Sequence, residues 1–326
     1  MQTIWKCDII NLTIEIILRW RKFIFKENEN SMNGIGVIVN VLSALVGGGF
    51  GLMFRGKIKA SYQQLLYRLV GLAILGVGAY EFMQHFFVFD GKETELTGSM
   101  LVIVALLLGG VMGYLFNIHY GLMYISKRLA TREAKDREKE KVRLDRLSRA
   151  VDASLEQGLT PPKVSLLDRL PTYEMPSQLT GNIYADGFIP AVVLLCANSM
   201  LFNGVMADGM SGETGTLFVK SAIDFVLCFT LAMTCGMGPL YATIPMMISE
   251  GLIWAMCMLL PDLTVQFFTP SLNAQISVIG AVLLLVMGIQ IAFDRKKLRA
   301  ENLLPAYLIP IIYYGILFVV DLFLEK

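Results

Sequence analysis

Six side chains that hydrocarbon should exclude recur within the apolar stretches of this chain: Asn40, Ser199, Asn203, Lys220, Asp224 and Glu250. Two of them are carboxylates. Asp224 sits in F-V-K-S-A-I-D-F-V-L-C-F-T-L-A and Glu250 in P-M-M-I-S-E-G-L-I-W-A-M, each near the middle of a run long enough to span a bilayer. A short G-M-G-P turn at 236–239 joins the two runs, so they form an antiparallel hairpin in which the acids fall at about the same depth. An ionised group at that depth costs roughly 2.5 kcal/mol or more, which is why such residues face an interior or cavity and mark a path for ions or substrate. Lys220 lies four residues before Asp224 and stacks on the same helical face. The pair is either a mutually neutralising contact inside a bundle, or a switch in which Lys220 compensates Asp224 in one state and substrate or proton does so in another. Glu250 adds like-charge repulsion that a shared proton or a bound cation would relieve.

The uncharged members offer oxygen ligands. Asn40 lies one to two turns into G-V-I-V-N-V-L-S-A-L-V-G-G-G-F-G-L-M, where its amide binds either a neighbouring helix or a cation. Ser199 and Asn203 are four apart and share a face, with Asn198 turned away by about 100°. The following D-G-M-S-G (208–212) reads as a turn, because glycine permits positive φ. Uncharged oxygens and exposed carbonyls suit a desolvated cation or polar solute, and a plain hydrogen-bonded helix contact explains the same residues. Gly47 and Gly51 make a G-x-x-x-G, the spacing of close helix packing. Pro239 and Pro245 predict a break or kink early in the sixth span, beside the acids. His85 and His119 sit near span ends with no partner at ligand spacing and read as interfacial. Nothing resembles a nucleotide loop, a nucleophile with its base or a metal-ligand array. The expectation is therefore a non-enzyme with no cofactor, compatible with a bound monovalent cation or proton coupling.

The elements that must position these groups are membrane helices. The 326 residues are 55% hydrophobic and only 17% charged, with mean hydropathy +0.59, too apolar for a soluble domain of this size. A spanning helix needs about 20 apolar residues. Runs of that length fall near 34–54, 65–87, 98–118, 187–207, 215–236, 240–261, 274–293 and 303–323. The fold expected is all-α, a polytopic bundle of about eight spans, without the ten-residue alternation of an outer-membrane barrel. Basic and acidic connections alternate in step with the spans: Arg55, Lys57 and Lys59, then Asp90, Lys92, Glu93 and Glu95, then the basic 127–149, then Asp208 and Glu213, then Arg295 to Arg299. The positive-inside rule places both ends of the core outside the cytoplasm. The net charge of +1 gives no indication of a nucleic-acid partner, and the five cysteines, with no C-x-x-C pair, indicate neither a disulfide scaffold nor zinc.

Four regions follow. Residues 1–31 are an amphipathic, basic extension, either an interfacial helix or a stretch preceding a true start at Met32, the reading preferred. Spans one to three occupy 32–126, and spans four to eight 187–326. Between them, 127–186 is expected to be cytoplasmic: a charged helix prolonging the third span, with Leu144, Leu147, Val151 and Leu155 as an apolar stripe, ended by Gly158 and Pro161-Pro162. The segment is a solvated linker or a dimerisation or docking helix. The second span (V-G-L-A-I-L-G-V-G-A-Y-E-F) and the seventh (I-G-A-V-L-L-L-V-M-G-I-Q-I-A-F) look alike in opposite directions. That is the mark of an inverted repeat if spans one to three answer six to eight.

Several motifs together carry a resemblance. G-V-I-V-N (36–40) with the glycine cluster, D-G-M-S-G, K-S-A-I-D (220–224), E-G (250–251) and N-L-L-P (302–305) resemble a bacterial membrane family known as domain of unknown function 554, from about Met32 to the end. The cytoplasmic segment is longer than the family pattern, Glu250 stands where glutamine is expected, and Asn198 where glycine is common. The resemblance implies fold and membrane location but no activity. The function expected from the residues is a secondary transporter or channel of the bacterial cytoplasmic membrane, moving a small polar solute or cation and assembling as a homo-oligomer. Its site is Asn40, Ser199, Asn203, Asp224 and Glu250, with Lys220 as counter-ion. The alternative is a non-transporting scaffold or sensor acting through 127–186.

Overall fold

The computed structural model describes residues 34–55, 58–86, 95–156, 182–293 and 298–324. The expectations for 1–31, for the apolar stripe of the charged helix and for the tether after it fall outside the described residues or side chains. Helices account for every element, with no strand among the described residues. The first two spans are α1 (Ile35–Arg55) and α2 (Ala60–Phe86). The third is α3 (Glu95–Leu115), continued after a 52° bend by α4 (Ile118–Glu156). The fourth is α5 (Asn182–Cys196) with α6 (Ser199–Ser211), bent by 48°. Then come α7 (Gly215–Cys235), α8 (Gly238–Leu259), the short α9 (Pro261–Phe267), α10 (Pro270–Ala292), a 3-10 helix (Ala300–Tyr307) and α11 (Leu308–Leu324). Six helices are long and apolar enough to cross a membrane, and eight spans result if each bent pair counts as one.

Local chemistry explains most boundaries, and three differ from the sequence expectation. The fourth span is not one helix. It breaks at Ala197 and Asn198, where Asn198 adopts extended backbone and becomes the N-cap of α6. Its Oδ1 accepts from the Leu201 N–H at 2.8 Å and its Nδ2 donates to the Leu194 carbonyl at 2.9 Å, so one amide ties both halves. This is the competition between asparagine and backbone that favours caps over helix interiors. Nor is D-G-M-S-G a turn throughout: Asp208 to Ser211 close α6, and only Gly212, with φ 69°, takes the left-handed C-cap position. The sixth span, finally, runs unbroken through Pro245, with Pro239 in its first turn, where proline is tolerated. The irregular backbone lies in the third and fourth spans instead.

The inner helices are α10 and α7, whose apolar windows are 72% and 56% buried, whereas α1, α2 and α8 bury under a third. Large apolar side chains on the outer helices, among them Leu107, Val111 and Leu252, point away from the bundle. That is the surface a hydrocarbon solvent requires. α1 lies along α7 because two glycines let it: a Cβ at Gly47 would stand 2.4 Å from the Phe225 carbonyl oxygen, and one at Gly51 2.2 Å from that of Phe229. The most extensive pairings are first span with fifth, second with seventh, third with eighth and fourth with sixth. This scheme is unchanged when spans one, two, three and four are exchanged with six, seven, eight and five. Details follow it, since Gly78 abuts Leu284 and Leu285 while Gly288 abuts Leu75. Such a packing pattern is what an inverted repeat produces.

Candidate functional site

Three helices bring four of the six expected residues together. The i,i+4 spacing on α7 sets the Lys220 ammonium directly on Asp224 Oδ2. α8, returning antiparallel, places Glu250 Oε1 3.4 Å from the same Lys220 Nζ. α1 adds Asn40, whose Nδ2 donates to Glu250 Oε1 at 2.6 Å. All four are buried, with exposures of 0% for Asn40, 1% for Lys220, 2% for Asp224 and 0% for Glu250. The close α1–α7 approach through Gly47 and Gly51 makes the meeting possible, and Ser43 pins it by donating to the Ser221 carbonyl at 2.6 Å. Lys220 is therefore not the private counter-ion of Asp224; two carboxylates share it. Asn40 Oδ1 and Glu250 Oε2 are buried and find no hydrogen-bond partner among the described residues.

Ser199 and Asn203 do not join this cluster. Ser199, the first residue of α6, lies beside the carboxylate of Glu81 on α2 instead. Asn203 is half-buried one turn on and takes part in none of the cluster's contacts. The break in the fourth span is the reason, because the 48° bend at Asn198 carries both residues away from the face on which an unbroken helix would have set them. Glu81 was missed by the sequence reading. Its signal was the one that exposed Asp224, an acid within an apolar run (A-Y-E-F), though it lies nearer the end of its span.

A cavity of about 400 Å³ joins the two groups. Lys220 and Asp224 line one wall and Glu81 and Asn198 another, with Ile74, Leu194, Leu227 and Leu284 between them. Beyond the cavity, Asp208 caps the start of α1, accepting from the Gly34 N–H at 3.2 Å and the Val37 N–H at 3.4 Å. An acid at a helix N-terminus is favourably placed against the helix dipole, so this residue is structural rather than a loop charge. His119, expected to be an unpartnered interfacial residue, bonds Glu301 through Nδ1, and its backbone N–H donates to Asn302 Oδ1 at 3.2 Å. This contact fixes the bend of the third span against the 3-10 helix.

A bundle of six to eight apolar helices enclosing an ion cluster defines a multi-pass helical membrane protein. The chain belongs to the family described as "Protein of unknown function (DUF554)", whose model matches residues 35–315. It is similar to the "Uncharacterized protein YqgA" of Escherichia coli (strain K12), 26% identical over 276 residues that cover 84% of this chain and 94% of that protein. It is also similar to the "Uncharacterized membrane protein YdfK" of Bacillus subtilis (strain 168), 24% identical over 275 residues covering 84% of this chain and 93% of that one. No solved structure matches.

Proposed function

We propose that the protein is a secondary transporter or channel of the bacterial cytoplasmic membrane that moves a small polar solute or cation through its buried carboxylates. The observation that carries this reading is the buried meeting of Asn40, Lys220, Asp224 and Glu250, two of which, Lys220 and Asp224, reach the wall of a cleft between α2 and α7. Ionisable groups at membrane depth are costly, and a protein that only needed to pack its helices would gain by replacing them with apolar residues. One ammonium between two carboxylates also leaves a charge to be met, which a cation or proton does when it binds. The broken fourth span frees backbone groups beside the cavity, an irregularity that membrane interiors tolerate where it lines a cavity. No catalytic role is assigned to any residue.

The test is flux in liposomes containing the purified protein. A solute gradient should dissipate with wild type and not with Asp224→Asn at equal protein incorporation. Equal leak through both, for every cation and small solute tried, refutes the reading. A second reading, a scaffold or sensor, draws on one observation: α4 runs for 39 residues, about 58 Å at 1.5 Å per residue, well beyond its apolar start.

A further inference from the structure

The cavity has a chemical character narrower than "polar". Its walls are mostly hydrocarbon, and its polar groups are three charged side chains and one amide. The amide is already occupied: both polar atoms of Asn198 are spent on the backbone of α5 and α6. The Lys220 ammonium is engaged by Asp224 and Glu250. Glu81 is different. It is 3% exposed and lines the cavity, and Oε2 has no hydrogen-bond partner among the described residues. Ser199, at the first turn of α6, lies beside the carboxylate. That Oε2 oxygen is thus free to accept.

Charge points the same way. Glu81 and Asp224 line this space and Glu250 lies behind Lys220, so three carboxylates are set against one ammonium and the His85 imidazole near Glu81. Buried ions persist only when paired and hydrogen-bonded, so the site is short of positive charge. An inorganic cation is a poor match, because it demands six or so oxygens in place of its water, and the walls here are mostly hydrocarbon. About 400 Å³ is within the roughly 300–1,000 Å³ of small-molecule sites, which are largely apolar with a few placed polar groups. We propose that this cavity binds a small organic ammonium, its nitrogen donating to Glu81 and its hydrocarbon body filling the space between α2 and α7. The inference rests on the transport reading only for its purpose, since binding itself is measurable at equilibrium without flux.

The experiment is calorimetric titration of the detergent-purified full chain with a series from methyl- to hexylammonium, at fixed ionic strength. Alcohols and carboxylates of equal length, with sodium and potassium chloride, serve as controls. Affinity should rise about fourfold per added methylene until the cavity is full. Glu81→Gln, which keeps the side chain's size, should weaken the ammonium ions at least about tenfold and leave the alcohols unchanged. Should Glu81→Gln fail to fold, Ala73→Phe stands in. Ala73 lines the cavity from an exposed position on α2, so the added ring should shorten the best-bound chain with no loss of fold. Alcohols or carboxylates binding as well as ammonium ions would overturn the proposal, as would binding of sodium or potassium alone, or an affinity that neither variant changes. Ammonium binding with no flux of any solute would sink the transport reading and leave this one standing. Flux of another solute with no ammonium binding would do the reverse.

Discussion

Lys220→Met should be the most damaging single substitution in the bundle, although it puts an apolar side chain into an apolar helix. Lys220 is 1% exposed and is the only cation that touches Asp224 or Glu250 among the described residues. Methionine fills much the same volume, so little cavity energy is at stake. What is lost is the compensation of two carboxylates at once. Breaking a buried pair by removing one partner costs about 3–5 kcal/mol, and here the charge stays behind twice. With about 2 °C per kcal/mol for a chain of this size, Tm should fall on the order of 6–10 °C.

The control is the double substitution Lys220→Met with Asp224→Asn, which removes one stranded charge and should recover more than half of the loss. Glu250→Gln alone should cost little. Asn40 can still donate to the glutamine oxygen, and Lys220 then has one carboxylate to neutralise rather than two. The assay is thermal unfolding of the purified protein in one detergent, followed by tryptophan fluorescence and repeated at low and high salt. Buried pairs are screened only weakly, so the ranking should survive salt. If Lys220→Met melts within 1 °C of wild type, the carboxylates do not depend on the lysine and the reasoning from charge balance fails. If Glu250→Gln is as damaging as Lys220→Met, the sharing of Lys220 is mistaken.

Other expectations concern the frame around the cluster. Gly51→Ala should cost several degrees in Tm, because its Cβ would meet the Phe229 carbonyl oxygen at 2.2 Å, while Gly49→Ala, with nothing within 4 Å, should be neutral or slightly stabilising; a scan of both variants decides. Asn198→Ala removes the cap of α6 and should cost about 1 kcal/mol, and because it loosens the start of that helix it should also weaken any ligand held by Glu81, read by the same titration. Replacing 130–180 with a short flexible linker should spare flux in liposomes, since none of its described residues takes part in the cluster's contacts; loss of all flux would make it a gate or assembly element.

The spans, and the meeting of Lys220, Asp224 and Glu250, were legible because they depend on quantities that sequence carries directly: run length, the i,i+4 period, and the short turn at 236–239 that fixes relative depth. The first helix was half legible. G-x-x-x-G announced a close packing partner but could not say that the partner was α7, since two glycines specify a separation and not a neighbour. Asn40 could therefore be assigned two roles and not one. The fourth span was illegible for a physical reason. An asparagine inside an apolar run costs little whether the helix continues or breaks, provided its amide finds partners, and Asn198 finds both of them on its own backbone. Once the helix breaks there, helical spacing no longer applies across it. Ser199 and Asn203 then follow the direction of α6 rather than that of α5.

That break also explains why Glu81 was overlooked. Near the end of an apolar span, an acid can be a membrane-interface residue, and nothing in α2 alone contradicts this. α6 contributes to its burial, since the first turn of that helix sets Ser199 beside the carboxylate. A helix that begins inside a bundle has unsatisfied N–H groups at its start, and in hydrocarbon no water meets them. An unexplained acid in a neighbouring span is the natural partner of such an end. The same logic pairs Asp208 with the start of α1. Two of the buried acids thus lie at helix starts, and two share Lys220. Of the two that lie at helix starts, Glu81 alone faces the cavity with an oxygen to spare, which is why the cavity's chemistry turns on this residue rather than on Asp208.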